Sequence, residues 1–234
     1  MRALPRRAVI ASALVACAAC APVDAAVFTP TYHADDRAPS AGFDPNALID
    51  DAVLADVTWD DAAVQRYLER THYAARSFLA VYHSGDCGES GTWCSAAHAI
   101  AVSSQRHAVN ARVLLAFAEV EGQLLSAPDY PLPSARVEYA FACGCDVNGC
   151  DPAAAGFDVQ VECLAAKLAA ARDAAASGGA TSRGARVGES FTTLDGVTVV
   201  PANAATAAVY DVLPDVSVGA GGAWMVSTLT PKIR

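Results

Sequence analysis

The sequence predicts a mainly α-helical fold, and three observations carry that prediction. Apolar residues recur at spacings of three and four along several segments, residues suited to helix capping precede those segments, and only one stretch reads as a short hairpin. Of the 234 residues, 53% are hydrophobic and 18% charged, which is the balance of a chain that folds and not of a disordered one.

The N-terminus carries Arg2, Arg6 and Arg7 and no acid, followed by an apolar run from Ala8 to Ala16. That order is an export signal, since the run falls far short of the roughly 20 residues that span a bilayer. Leu14-Val15-Ala16-Cys17 resembles the bacterial lipobox, in which the cysteine receives diacylglycerol and begins the mature protein. The competing reading is ordinary signal cleavage after Ala25. Residues 1–16 are therefore expected to be a signal peptide, 17–42 a flexible tether of Ala, Pro, Asp and Thr, and 43–234 a single domain. The expected location is the cell envelope, with a lipid anchor through Cys17 at the outer membrane or in the periplasm.

Loss of residues 1–16 removes three arginines and leaves 13 basic against 25 acidic residues, a formal charge of −12. Nucleic acid is excluded as an expected partner, because phosphate backbones are bound by clustered lysine and arginine. Six cysteines remain beyond the leader: Cys87, Cys94, Cys143, Cys145, Cys150 and Cys163. An even number in an exported chain argues for disulfides. Zinc is the rival reading for Cys143, Cys145 and Cys150, but C-x-C is poor spacing for tetrahedral ligation. Five histidines form no H-x3-H pair, and Asp146 with Asn148 only faintly resembles a calcium loop, so neither a metal nor a cofactor is expected.

In chain order, Thr58 or Asp60 caps a helix through Val64, Tyr67 and Leu68. Gly85 to Gly91 forms a loop whose flanking Cys87 and Cys94 are close enough in sequence to pair. Ser95 opens a helix that ends near Ala108, and Asn110 caps the strongest helical stretch, which runs to Leu125. Gly156 to Arg172 is a further helix, and Ser177 to Ser190 an exposed loop. Phe191 to Val200 carries the hairpin pattern around Leu194-Asp195-Gly196, and Asn203 caps a helix through Tyr210 that Pro214 stops. The apolar tail with Trp224 and Met225 is expected to pack on the core.

The stretch from Asn110 to Leu125 holds two acids to which the helical wheel assigns different roles. At roughly 100° per residue, Glu121 lies on the stripe of Leu114, Phe117, Ala118, Leu124 and Leu125, whereas Glu119 falls opposite, beside Arg112 and Gln123. A carboxyl on an apolar face loses water, so its neutral form is favoured and it holds a proton near neutral pH. Glu121 is thus the candidate general acid, and Glu119 is expected to be solvated surface. The alternative for Glu121 is a helix-end acid that escapes to solvent.

Taken together the segments resemble lysozyme-like, lytic-transglycosylase-related proteins of bacterial cell surfaces, some of them called haemagglutinin-like. "FDPNALIDD" at 43–51 resembles the family's opening motif, "SAAHAI" at 95–100 the helix before the active one, and "NARVLLAFAEVEG" at 110–122 the catalytic helix. "YAFACGCDVNGCD" at 139–151 is similar to the loop lining the groove, "GFDVQVECLAAKL" at 156–168 to the helix after it, and "NAATAAVY" at 203–210 to a third motif. The resemblance implies a lysozyme-like helical domain with a groove, peptidoglycan glycan strands as substrate, and Glu121 at the catalytic position. It also implies substrate contacts from Tyr210, Asn203 and Gly144, and a disulfide between Cys145 and Cys150, which leaves Cys143 for Cys163. Asp195 is a candidate second carboxylate, although Asp-Gly is first a turn signal.

Two functional expectations follow. The first is a glycoside hydrolase or lytic transglycosylase that cleaves between N-acetylmuramic acid and N-acetylglucosamine, with a lean toward the single-acid transglycosylase-like route for want of an assured second carboxylate. The second is a non-catalytic lipoprotein that binds glycan or a partner protein through the same groove. It is motivated by departures from the family pattern, such as Gly122-Gln123 after the acid and Asp211-Val212-Leu213-Pro214 after Tyr210.

Overall fold

A computed structural model describes residues 31–37, 42–85, 93–146 and 148–234. The elements in chain order are α1 (Ala34–Arg37), α2 (Asp51–Leu54), α3 (Asp61–Glu69), β1 (His83–Ser84), β2 (Cys94–Ser95), α4 (Ala96–His107), α5 (Ala111–Gly122) and α6 (Ala135–Glu138). They continue with β3 (Cys145–Asp146), β4 (Gly149–Cys150), α7 (Phe157–Ala176), β5 (Phe191–Thr192), β6 (Thr198–Val199), α8 (Ala204–Val212) and α9 (Gly222–Leu229). Helices dominate, and each described strand pair is a two-residue antiparallel ribbon.

Four of the helices begin where the sequence places a cap. The side chain of Asp60 accepts from Ala63 N, Ser95 from His98 N, Asn110 from Arg112 N and Asn203 from Thr206 N, each satisfying a donor that the first turn leaves open. Asn110 also fixes where α5 starts, because its amide Nδ2 donates to the Val53 carbonyl at 2.7 Å and its backbone N–H to the Leu54 carbonyl at 2.7 Å. The Leu194-Asp195-Gly196 turn closes the expected hairpin between β5 and β6.

The core is built around α5. Ala111 and every residue from Val113 to Val120 are buried, so this helix has no solvent face over most of its length. A helix that is apolar all round belongs in the middle of a packed domain, and α4, α6, α7 and α9 all pack against it. Trp224 and Met225 on α9 are fully buried, as expected for the tail.

Of the segment expected to be a tether, residues 31–37 are described and pack against the domain. Tyr32 is buried, Asp36 is 2% exposed, and Asp36 pairs with Lys232 at 2.7 Å. Tyr32 supplies the reason, since its ring removes a large apolar area from water and its hydroxyl finds the Val120 carbonyl inside. Cys17, the signal peptide and the Ala25 cleavage point lie outside the described residues.

Disulfides join Cys143 to Cys163 and Cys145 to Cys150, which removes the thiolates that a zinc site would need. Cys94 is also in a disulfide, and Cys87, its expected partner, lies outside the described residues. Buried Gln160 on α7 reinforces the Cys143–Cys163 link. Its Oε1 accepts from Phe141 N and Cys143 N, both at 3.1 Å, and its Nε2 donates to the carbonyls of Cys143 at 2.9 Å and Ala154 at 2.7 Å. The cysteine loop is thereby fastened to α7 by covalent and polar contacts together.

Candidate active site

The C-terminal turn of α5 brings the two acids into different surroundings. Gln123 takes a left-handed conformation (φ 52°) to end the helix, with its N–H on the Glu119 carbonyl at 2.9 Å. The chain then folds back tightly: a Cβ on Gly122 would lie 3.0 Å from the Arg136 carbonyl, and the Arg136 side chain donates to the Gly122 carbonyl from Nε at 3.1 Å and from an Nη at 2.8 Å.

Glu119 is not solvated surface. It is 1% exposed, because the wheel's polar side of α5 is covered by other elements. Its Oε1 accepts from the Tyr73 hydroxyl at 3.1 Å and its Oε2 from Leu125 N at 2.8 Å and Ser126 N at 3.0 Å. Burial raises its pKa, opposed by the hydrogen bonds from Ser126, Leu125 and Tyr73. Oε2 thus closes the turn that follows the helix, and Oε1 ties α5 to Tyr73.

Glu121, two residues on, is half-buried, and among the described residues no hydrogen bond engages its carboxyl. Loss of water is the main cause, and the negative charge of Asp215 the second, that pushes it from the ordinary 4.5 up to about 7. Asp215 stands in the loop before α9. Its Oδ2 accepts from the Ser217 hydroxyl, and its carbonyl accepts Ala223 N at 3.0 Å.

Tyr32 completes the group. Its hydroxyl donates to the Val120 carbonyl at 2.7 Å, one residue before Glu121, and burial first, then the charges of Glu121, Glu119 and Asp215, raise its pKa. Two glycines admit these neighbours: a Cβ on Gly221 would lie 2.7 Å from the Tyr32 hydroxyl oxygen, and one on Gly222 would lie 2.8 Å from Asp215 Oδ2. Both have positive φ, at 110° and 62°.

The other expected site residues fall elsewhere or serve the fold. Tyr210 is fully buried and its hydroxyl donates to the Pro45 carbonyl at 2.7 Å, so it locks the 43–51 segment to α8 and is not free to meet substrate. Asn203 is spent on the cap of α8. Gly144 is exposed with φ 73°, and a Cβ there would strike Ala154 at 2.5 Å, so the turn itself requires glycine. Asp195 also works within the structure: it accepts from Thr193 Oγ1 at 2.5 Å, from Val216 N at 3.1 Å and from Ser217 N at 3.0 Å. Desolvation opposes its ionisation, but the hydrogen bonds from Ser217, Thr193 and Val216 prevail and lower its pKa. Sequence reasoning missed Asp215 and Tyr32. The available signals were the Gly221-Gly222 pair, which marks a close approach, and the aromatic Tyr32 within a segment made mostly of Ala, Pro, Asp and Thr.

Asp146 Oδ1 accepts Asn148 N at 2.7 Å as an ordinary turn, and among the described residues no group of three or more His, Cys, Asp or Glu side chains converges as metal ligands. No helix among them is long and apolar enough to cross a membrane. Comparison with known proteins matches this chain to no family model, no curated protein and no solved structure.

Proposed function

We propose that this chain is a lysozyme-like peptidoglycan glycosidase, exported and held at the cell envelope through Cys17, in which Glu121 is the general acid. The observation that carries the reading is the state of Glu121: a half-buried carboxyl, engaged by no described hydrogen bond and pushed up to about 7, at the end of a rigid buried helix. Such a group is protonated over much of the neutral range and still meets solvent. It is suited to give its proton to the oxygen between N-acetylmuramic acid and N-acetylglucosamine as the sugar gains oxocarbenium character. Glu119 is unsuited, because its oxygens are already occupied.

Purified mature protein incubated with peptidoglycan releases muropeptides on this reading, and Glu121→Gln abolishes release by removing the proton while keeping the shape. Release that survives Glu121→Gln but not Glu119→Gln would refute it. The second reading, a non-catalytic glycan-binding lipoprotein, draws support from Tyr210 and Asn203, whose polar atoms are consumed by the fold. It expects wild type and Glu121→Gln to bind glycan equally and neither to create new chain ends.

A further inference from the structure

An acid alone leaves open what completes the bond cleavage. If water does so, a second group must take the proton of that water, whereas a transglycosylase-like reaction uses the sugar's own hydroxyl and leaves an anhydro end. Five carboxylates stand around the end of α5 and the loop before α9, and burial and hydrogen bonds separate them: Asp36 is 2% exposed and paired with Lys232, so water does not reach it. Glu121 is the acid. Both oxygens of Glu119 are filled by Tyr73, Leu125 and Ser126, and Asp195 is filled by Thr193, Val216 and Ser217.

Asp215 differs from both. Only its Oδ2 is engaged, by the Ser217 hydroxyl, and among the described residues no hydrogen bond occupies Oδ1. It is half-buried, as Glu121 is. Asp195 grips Val216 N and Ser217 N, so the loop carrying Asp215 is held on the next two residues. On the other side, Gly222 makes room for the carboxylate, and Gly221 makes room for Tyr32, whose hydroxyl is fixed to the carbonyl just before Glu121. Close approaches thus bring Asp215 to Gly222 and Tyr32 to Gly221, the Tyr32 hydroxyl is bonded to the Val120 carbonyl, and the charge of Asp215 is felt at Glu121.

We propose that Asp215 is the second carboxylate of the site, receiving the proton of the water that attacks the anomeric carbon, so that the reaction is hydrolysis. The inference rests on the reading of Glu121 as glycosidic acid. In the step, the bond between the anomeric carbon and the glycosidic oxygen breaks with its electron pair going to oxygen, which takes the proton of Glu121. The water oxygen bonds to the anomeric carbon and its proton passes to Asp215. Solvent then restores the proton of Glu121 and removes that of Asp215. The product is a reducing end, in place of the anhydro end expected from a single acid.

The test uses the mature protein, purified peptidoglycan and mass spectrometry of the released fragments. Wild type yields fragments with a reducing end, and Asp215→Asn lowers their rate on the order of 100-fold or more. Asp215→Ala supplied with sodium azide regains cleavage and forms a glycosyl azide, because an anionic nucleophile needs no base. That rescue also requires a folded site. Anhydro ends as the sole wild-type product, or Asp215→Asn cleaving within tenfold of wild type, would overturn the role of Asp215 while leaving Glu121 as the acid. No cleavage by wild type would overturn both.

Discussion

Replacing Glu121 by Gln should stabilise the folded protein, and only at the pH where the acid is charged. In the native state the carboxyl keeps its proton up to about 7, whereas the ordinary value is 4.5. Between those values the native state binds more protons than the unfolded state, so wild-type stability falls as pH rises through the window and levels off above it. At about 1.4 kcal/mol per pH unit the difference amounts to at most roughly 3 kcal/mol at pH 8. Partial exposure of the carboxyl screens it, and about 1–3 kcal/mol is the expected range. Gln carries no charge at any pH and so never meets this cost. Urea unfolding of both proteins with disulfides intact, at pH 4 and pH 8, measures the difference, and Glu119 contributes alike to both and cancels. With slopes of about 1–3 kcal/mol per molar urea, the midpoint of Glu121→Gln should rise by on the order of 1 M at pH 8 and hardly move at pH 4. Equal midpoints at pH 8, or the same gain at pH 4, would refute the desolvation argument.

Cleavage of peptidoglycan should decline about tenfold per pH unit above roughly 7 as the acid loses its proton, and a pH profile that stays flat to pH 9 counts against Glu121. Glu119→Gln should cost about 1–3 kcal/mol in thermal or urea unfolding, because an amide nitrogen cannot accept from Leu125, Ser126 and Tyr73 as the carboxylate does. Replacing Cys143 and Cys163 by Ser opens a link across 20 residues and should cost about 3 kcal/mol by loop closure, read from unfolding midpoints with and without reductant. Tyr32→Phe deletes the hydroxyl on the Val120 carbonyl and should cost about 1 kcal/mol, and an unchanged midpoint shows that the 31–37 segment is not docked in solution.

Much of the fold was legible because its signals are local. Asp60, Ser95, Asn110 and Asn203 announce four helices through one side-chain oxygen each, and the capped helices begin directly after them. Boundaries set by tertiary contact were harder to read. The helix expected over Gly156 to Arg172 continues to Ala176, where Ala171 and Ala175 are buried by packing that no spacing rule contains. The 31–37 segment, composed like a tether, is recruited by partners near the other end of the chain: Asp36 by Lys232, and Tyr32 by the glycine at 221.

The site was half legible, and the reason lies in one premise of the helical wheel. The wheel supposes that a helix has a wet side, and on that supposition Glu119 belongs in water with Arg112. Arg112 keeps to that side near the start of α5, paired with Asp56 at 3.0 Å, but by Glu119 the same side has been covered. Glu121 is left half-buried, with loss of water raising its pKa, because the helix ends one residue later at Gly122. Nothing in the wheel could supply Asp215, which is 94 positions away in the chain and enters through a glycine pair. A carboxylate on an apolar stripe is therefore a readable signal, since burial alone shifts it. A second carboxylate brought near it depends on long-range folding, and what distinguishes Asp215 from the acids around it is an unfilled oxygen on a half-buried side chain, where Asp36 is closed off at 2% exposure.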